Sequence, residues 1–218
     1  MKTSGGKALS SPQRVADAIT RGILLRRYVV GQRLIEADLM QELGVSRSTV
    51  REALKILGTK GVVQSVAHRG AVIRRLTLDE ARNLLSVIEV LVGLAARLAA
   101  SRIEEGQNRE VFAAAAEPLV SPRPAGDLES ILDQRARFYQ AMLDIAGNDE
   151  LNRALPSPQA HLFRTQFYGL ASRADLRAMV NEYRNITKAI LAGDVAKAEM
   201  HARRHIQKTA ERTLPFIA

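Results

Sequence analysis

The 218-residue sequence predicts a mainly α-helical protein, with an N-terminal winged helix-turn-helix domain followed by an all-helical bundle. Three observations lead there. Projected at about 100° per residue, residues 46–57 place Val50, Ala53, Leu54 and Leu57 on one arc and Arg47, Ser48, Arg51 and Lys55 on the other. The runs VVQSV (62–66), AHRG (67–70) and AVIRR (71–75) then read as strand, turn, strand. Beyond residue 76 there is no strand pattern, and Gly, Pro and N-capping residues punctuate successive helical segments.

The elements follow in order. Residues 1–10 read as a disordered tail. A helix is expected from Pro12 to about Arg27, where Val15, Ala18, Ile19, Gly22, Ile23 and Arg26 roughly follow helical spacing. Val30-Gly31-Gln32 is a turn. A short helix covers 36–43 and ends at Gly44, which suits a left-handed C-terminal cap. Ser46 is a good N-cap for a helix running to about Leu57, broken by Gly58 and Gly61. After the strand–turn–strand segment, Thr77 and Glu80 form a capping-box pair that opens a helix reaching about Glu104. The domains are therefore expected at 11–76 and 77–218.

In the second domain, Gly106, Pro118 to Gly126, Gly147, Pro156/Pro158, Ala171-Ser172 and Gly193 separate six or seven helices. Asp127, Ser157 and Asp194 are the expected N-caps, with Pro158 at the first helical position.

Composition narrows the function. The chain has no cysteine, which excludes disulfides, thiolate metal sites and a thiol nucleophile. The start MKTSGGKALSS lacks the apolar core of a secretory signal. The apolar stretch 84–100 carries Glu89 and Arg97 and is expected to fall short of a membrane span. A cytoplasmic protein without a membrane partner is expected. The net charge of +9 lies wholly at one end: residues 1–76 hold 14 Lys and Arg against 5 Asp and Glu, and residues 77–218 hold 18 against 18. Such asymmetry points to a polyanion for the first domain alone.

The segment GVSRSTVREAL (44–54) gives that polyanion a reader. One helical face can pack on preceding helices. The other presents two guanidinium groups, a hydroxyl and an ammonium, as a recognition helix in a major groove requires. Arginine reads guanine O6/N7, and hydroxyls and a helix N-terminus suit phosphate. A solvated amphipathic helix shows the same periodicity; the short helix before it, the hairpin after it and the charge asymmetry favour DNA.

The run LIEADLMQELGVSRSTVREALKILGTKGVVQSVAHRGAVI (34–73) resembles the GntR family of bacterial transcription regulators. The resemblance implies that Arg47, Ser48, Thr49 and Arg51 contact a double-stranded DNA operator. It also implies that the wing tip, His68, Arg69 and Gly70, reaches the minor groove or nearby backbone; His68 can equally be a plain turn residue. Some relatives carry an arginine at the start of the second helix, where this chain has Ala37.

The remainder resembles the all-helical FCD effector domain of that family's FCD (FadR-like) subfamily, through LAARLAA (94–100), RFYQAMLDIAGNDEL (137–151), EYRNITKAILAGD (182–194) and HARRHI (201–206). The resemblance implies a small-carboxylate ligand, often held through a metal by one Asp and three His. This chain departs from that set: the aligned positions are Arg135, Tyr139, Tyr183 and His205. One imidazole among a guanidinium and two phenols cannot hold zinc or nickel, so no metal and no cofactor is expected. His201 and His205 are four apart, a chelating spacing, but without a clear third ligand.

Helical projection turns Arg135 and Tyr139 to the centre of an apolar face that includes Leu132, Met142 and Ala146, and sets Tyr183 and His205 among apolar neighbours. A buried arginine needs an anion. That anion is either an internal carboxylate, with Glu89 the first candidate, or a ligand carboxylate held by Arg135 with Tyr139, Tyr183 and His205. Both tyrosines can also be core aromatics with satisfied hydroxyls. The sequence thus predicts a ligand-responsive regulator that binds a palindromic operator as a homodimer and senses a small organic acid. The rival is an all-helical small-molecule-binding protein or enzyme whose basic N-terminal domain binds another polyanion. No nucleophile–base pair, phosphate loop or carboxylate dyad supports an enzyme.

Overall fold

The computed structural model describes residues 11–67, 70–121, 128–155, 160, 163 and 173–216. The expected tail over 1–10, the wing-tip residues His68 and Arg69, and the expected caps Asp127 and Ser157 with Pro158 lie outside these residues. The described residues form two compact units: 11–76 together with Ala160 and Phe163, and 77–155 together with 173–216.

The first unit begins with α1 (Pro12–Leu24), capped by the Ser11 side chain. Its buried face is Val15, Ala16, Ile19, Gly22 and Ile23. The helix stops three residues short of the expected end. Arg26 turns into the left-handed region (φ 60°), and the Arg27 and Tyr28 amides both return to the Gly22 carbonyl. The Tyr28 ring then covers Gly22, where a Cβ would lie 2.4 Å from Tyr28 Cε2.

A two-residue strand that the sequence pattern did not reveal, β1 (Arg33–Leu34), precedes α2 (Glu36–Leu43). Gly44, at φ 64°, closes α2, and Ser46 caps α3 (Arg47–Thr59) by accepting the Thr49 amide. Gly58 lies inside α3 instead of breaking it; the turn comes at Gly61, at φ 65°. Strands β2 (Val63–Val66) and β3 (Gly70–Ile73) follow. The sheet is antiparallel with order β1-β3-β2. Arg33 and Leu34 pair with Val72 and Ala71, and β2 runs Val63↔Ile73 to Val66↔Gly70. Helix α1 packs on α3, which also touches α2 and β2. Val50, Ala53 and Leu57 fill the core with Val15, Ile19 and Leu39. Leu54, placed on the same arc by projection, is only half-buried.

The second unit opens with α4 (Leu78–Ser101), whose capping box is formed by Thr77 and Glu80. The helix has 24 residues and is long and apolar enough to cross a bilayer, contrary to the expectation from its sequence. Here it is the helix around which the bundle packs: it meets α6 (Leu128–Ala146), α8 (Arg173–Leu191) and α9 (Val195–Thr213). Its buried stripe of Ala95, Ala96, Ala99 and Ala100 is narrow, so the α9 stripe of Ala198 and Ala202 can approach closely.

Helix α5 (Asn108–Val120) packs on α6 and α8, and the short α7 (Asp149–Ala154) lies against α4. Pro118 sits within the last turn of α5 rather than ending it. A 3₁₀ turn, Leu214–Phe216, follows α9. Three arginines each reach the C-terminal end of another helix. Arg102 donates to the Ala146 carbonyl (3.1 Å), Arg109 to Leu191 (2.8 Å) and Arg184 to Val120 (3.0 Å). Each places a cation on the negative end of another helix.

Candidate functional site

The N-terminus of α3 gathers hydroxyls and cations. Ser46 Oγ lies 2.9 Å from Ser48 Oγ and 2.8 Å from Thr49 Oγ1. The first turn also leaves its backbone N–H groups without intrahelical acceptors, a favourable place for an anion. The side chains of Arg47 and Arg51 are 73% and 62% exposed. They do not stand alone, however. Arg47 Nε donates to Glu36 Oε2 at 2.8 Å, and Arg51 Nε is 4.0 Å from Glu36 Oε1. Lys55, one turn further, is exposed and pairs with Glu52 at 2.7 Å. Gly70 opens β3 at φ 70°, a conformation that favours glycine. Ala37 is exposed on α2.

In the second unit, the four residues singled out by sequence are brought together. Arg135 Cζ lies 5.4 Å from the Tyr183 ring centre. Tyr139 meets Tyr183 edge-on at 6.3 Å, and Tyr183 lies 4.7 Å from the His205 ring. Tyr183 and His205 are each 1% exposed. Projection misplaced the centre of the α6 face. Phe138 occupies it, fully buried between Phe112 and Tyr183 at 5.4 and 5.2 Å, and Arg135 and Tyr139 flank it half-buried.

Glu89, the first candidate for an internal partner of Arg135, is engaged by other groups. Glu89 accepts from Arg203 Nε and Gln207 Nε2, both at 3.0 Å. One terminal nitrogen of Arg135 points at Met179 Sδ, 3.3 Å away.

Sequence reasoning missed Glu182, which organises the imidazole. Glu182 accepts from His205 Nδ1 at 2.7 Å and from both terminal nitrogens of Arg212 at 2.7 and 2.9 Å. Partial burial alone would raise the Glu182 carboxyl, but the hydrogen bonds from Arg212 and His205 overcome it and hold the group at about 2. Burial pushes the His205 imidazolium down, with the Arg135 charge acting in the same direction against the Glu182 hydrogen bond. The result is a neutral ring facing an ionised acceptor. Nδ1 must then carry the proton, and Nε2 keeps the lone pair.

This donor set does not suit a divalent cation. A guanidinium near the one imidazole of this set opposes a second positive charge, and neutral phenols are weak ligands. Among the described residues, no three His, Asp or Glu side chains are grouped to hold a metal. His201 is half-buried four positions before His205, whose Nδ1 is already bound to Glu182. The same groups suit an organic acid: a cation for the carboxylate, with phenols and an imidazole lone pair beside it.

Comparison with known proteins agrees with both halves. The pattern described as "Bacterial regulatory proteins, gntR family" matches residues 12–73, and the FCD domain matches residues 83–208. A probable D-xylose utilization operon transcriptional repressor of Paenarthrobacter nicotinovorans is 27% identical over 192 residues, 88% of this chain and 83% of that protein. An uncharacterized HTH-type transcriptional regulator in an unstable DNA locus of Streptomyces ambofaciens is 26% identical, over 85% of this chain and 77% of that protein. Among solved structures, E. coli McbR/YncC superposes with a TM-score of 0.80 at 19% identity, covering 92% of this chain and 95% of that one. That likeness is one of fold. The chain belongs to the GntR family of DNA-binding transcription regulators and carries the family's FCD domain.

Proposed function

We propose that this chain is a homodimeric, cytoplasmic regulator that binds a palindromic operator and is switched by a small organic acid held without a metal. The observation that carries the DNA half is the exposed face of α3, where Arg47, Ser48 and Arg51 leave the packed platform together. Thr49 stands beside them, and the wing residues His68, Arg69 and Gly70 supply the second contact. Two such helices, related by a two-fold axis, would enter successive major grooves about 34 Å apart.

The effector half rests on Arg135, Tyr139, Tyr183 and His205. Arg135 takes the ligand carboxylate, and His205 Nε2, held as an acceptor by Glu182, receives a ligand hydroxyl or ammonium. Ligand binding favours one arrangement of the dimer and changes operator affinity by a coupling on the order of 1–3 kcal/mol.

A screen of small carboxylic acids by thermal shift, read beside DNA binding in increasing salt, tests the proposal. A steep salt dependence, a sequence preference, a stabilising acid and no stoichiometric metal by elemental analysis are expected. Stoichiometric zinc or nickel overturns the metal-free pocket. Binding without sequence preference overturns the operator reading.

A further inference from the structure

We propose that Glu36 is a positioning residue for DNA recognition: it orients the two arginines of α3 and suppresses their binding to DNA of the wrong sequence. The inference rests on the reading of Arg47 and Arg51 as DNA contacts. Glu36 is the first residue of α2, while both arginines belong to α3. The carboxylate thus bridges the two helices of the helix-turn-helix. It meets Arg47 through Nε at 2.8 Å and lies 4.0 Å from the Nε of Arg51.

The side of each guanidinium that faces Glu36 matters. Arg47, hydrogen-bonded at Nε, keeps its terminal nitrogens pointing away, in the fork that matches guanine O6 and N7, while Arg51 at 4.0 Å is drawn to the same side by charge alone. A long arginine side chain otherwise loses rotamer freedom on binding, so a partner that limits it beforehand favours the base-reading pose.

The charge of Glu36 acts at the same time. Non-specific binding is dominated by cation–phosphate attraction, which a carboxylate at 31% exposure between the two arginines opposes. The opposition is overcome only where base-edge hydrogen bonds add to the attraction. Glu36 therefore lowers affinity for any duplex while raising the ratio between the right one and the wrong one.

The test uses the full-length protein, a duplex selected by the wild type from a random pool, and a scrambled duplex of equal length and composition. Glu36→Ala, Glu36→Gln, Asp38→Asn and Arg47→Ala are compared by fluorescence anisotropy across salt, with folding checked by thermal melting. Asp38 lies on the same first turn of α2 and controls for loss of one negative charge.

Glu36→Ala should bind the scrambled duplex more tightly, with a salt slope steeper by about one ion. Its preference for the selected duplex should fall by about tenfold. Glu36→Gln keeps an acceptor for Arg47 Nε and should recover part of that preference; it also carries the test if Glu36→Ala fails to fold. Asp38→Asn should raise both affinities and keep their ratio. An unchanged ratio in both Glu36 variants, with Arg47→Ala impaired, overturns the role of Glu36 alone. A fall in ratio in Asp38→Asn as large as in Glu36→Gln overturns it as well, because bulk charge then accounts for the effect. If Arg47→Ala binds like the wild type, the underlying reading of α3 fails and this one fails with it.

Discussion

The Glu182 carboxylate accepts the Nδ1–H of His205 at 2.7 Å and thereby joins α8 to α9 through a buried imidazole. Two titrations follow from this contact. Burial disfavours the His205 imidazolium, so its stabilising contribution is present above the ordinary pKa of 6.5 and is lost as pH falls below it. Glu182, held down from 4.5 to about 2, contributes fully above 4.5 and loses that contribution as pH falls toward 2. The melting temperature should therefore be flat above pH about 7 and decline in acid, first through the histidine and then through the glutamate. His205→Asn, whose amide can replace the Nδ1 donor, should remove the first decline. A wild-type melting temperature that is constant from pH 7 to pH 5 would contradict the assignment.

Glu182 also accepts both terminal nitrogens of Arg212. Removing its charge takes the hydrogen-bonded counterion from a partly buried guanidinium and leaves only the weaker pull of Asp175 and Glu211. Glu182→Gln should cost about 1–3 kcal/mol in urea unfolding at pH 7. A change below about 0.5 kcal/mol would place the network among surface pairs of little consequence.

Arg135 should matter to the effector and not to the operator. Arg135→Ala should abolish the thermal shift produced by the stabilising acid and leave DNA affinity in the ligand-free state within about twofold. Arg135→Lys keeps a charge but loses the planar fork and should recover only part of the shift. Unchanged effector affinity in Arg135→Ala would reject Arg135 as the carboxylate clamp.

The first unit offers a packing test. At Gly22 the Tyr28 ring occupies the place of a Cβ, 2.4 Å away at its nearest carbon. Tyr28 is also fixed at its other end, where its hydroxyl donates to Glu42 at 2.7 Å. Neither end can give easily, so Gly22→Ala should destabilise the DNA-binding unit by about 1–3 kcal/mol, despite the better helix propensity of alanine. Stabilisation by that substitution would show that Tyr28 moves freely.

Local chemistry made much of the fold legible. Ser46, Thr77 and Asp194 cap the helices they were expected to cap, because a hydroxyl or carboxylate ahead of an apolar period has an unfilled backbone donor within reach. Gly44 ended α2 for a similar local reason. What depends on distant partners was not legible. Two residues, Arg33 and Leu34, have no strand period of their own and become β1 only because β3 offers an edge. Gly58 and Pro118 both look like breakers, yet each is carried through its helix.

The sites show the same division. That Arg47 and Arg51 share a face could be read from their spacing, but Glu36, eleven residues before Arg47 on another helix, carries no periodic signal. The aligned positions marked Arg135, Tyr139, Tyr183 and His205, whereas Glu182 and Arg212 lie outside the projected faces. Glu89, the first candidate for an internal partner of Arg135, is reached by Arg203 and Gln207, which no sequence pattern reveals.

The central claim is that the cations of α3 read a duplex. The most direct measurement compares wild type, Arg47→Ala and Arg51→Ala for binding to a selected operator and to a scrambled duplex at fixed salt. Each substitution should weaken operator binding by about 1–3 kcal/mol and reduce the preference for it. Both variants binding the two duplexes as the wild type does would contradict the account.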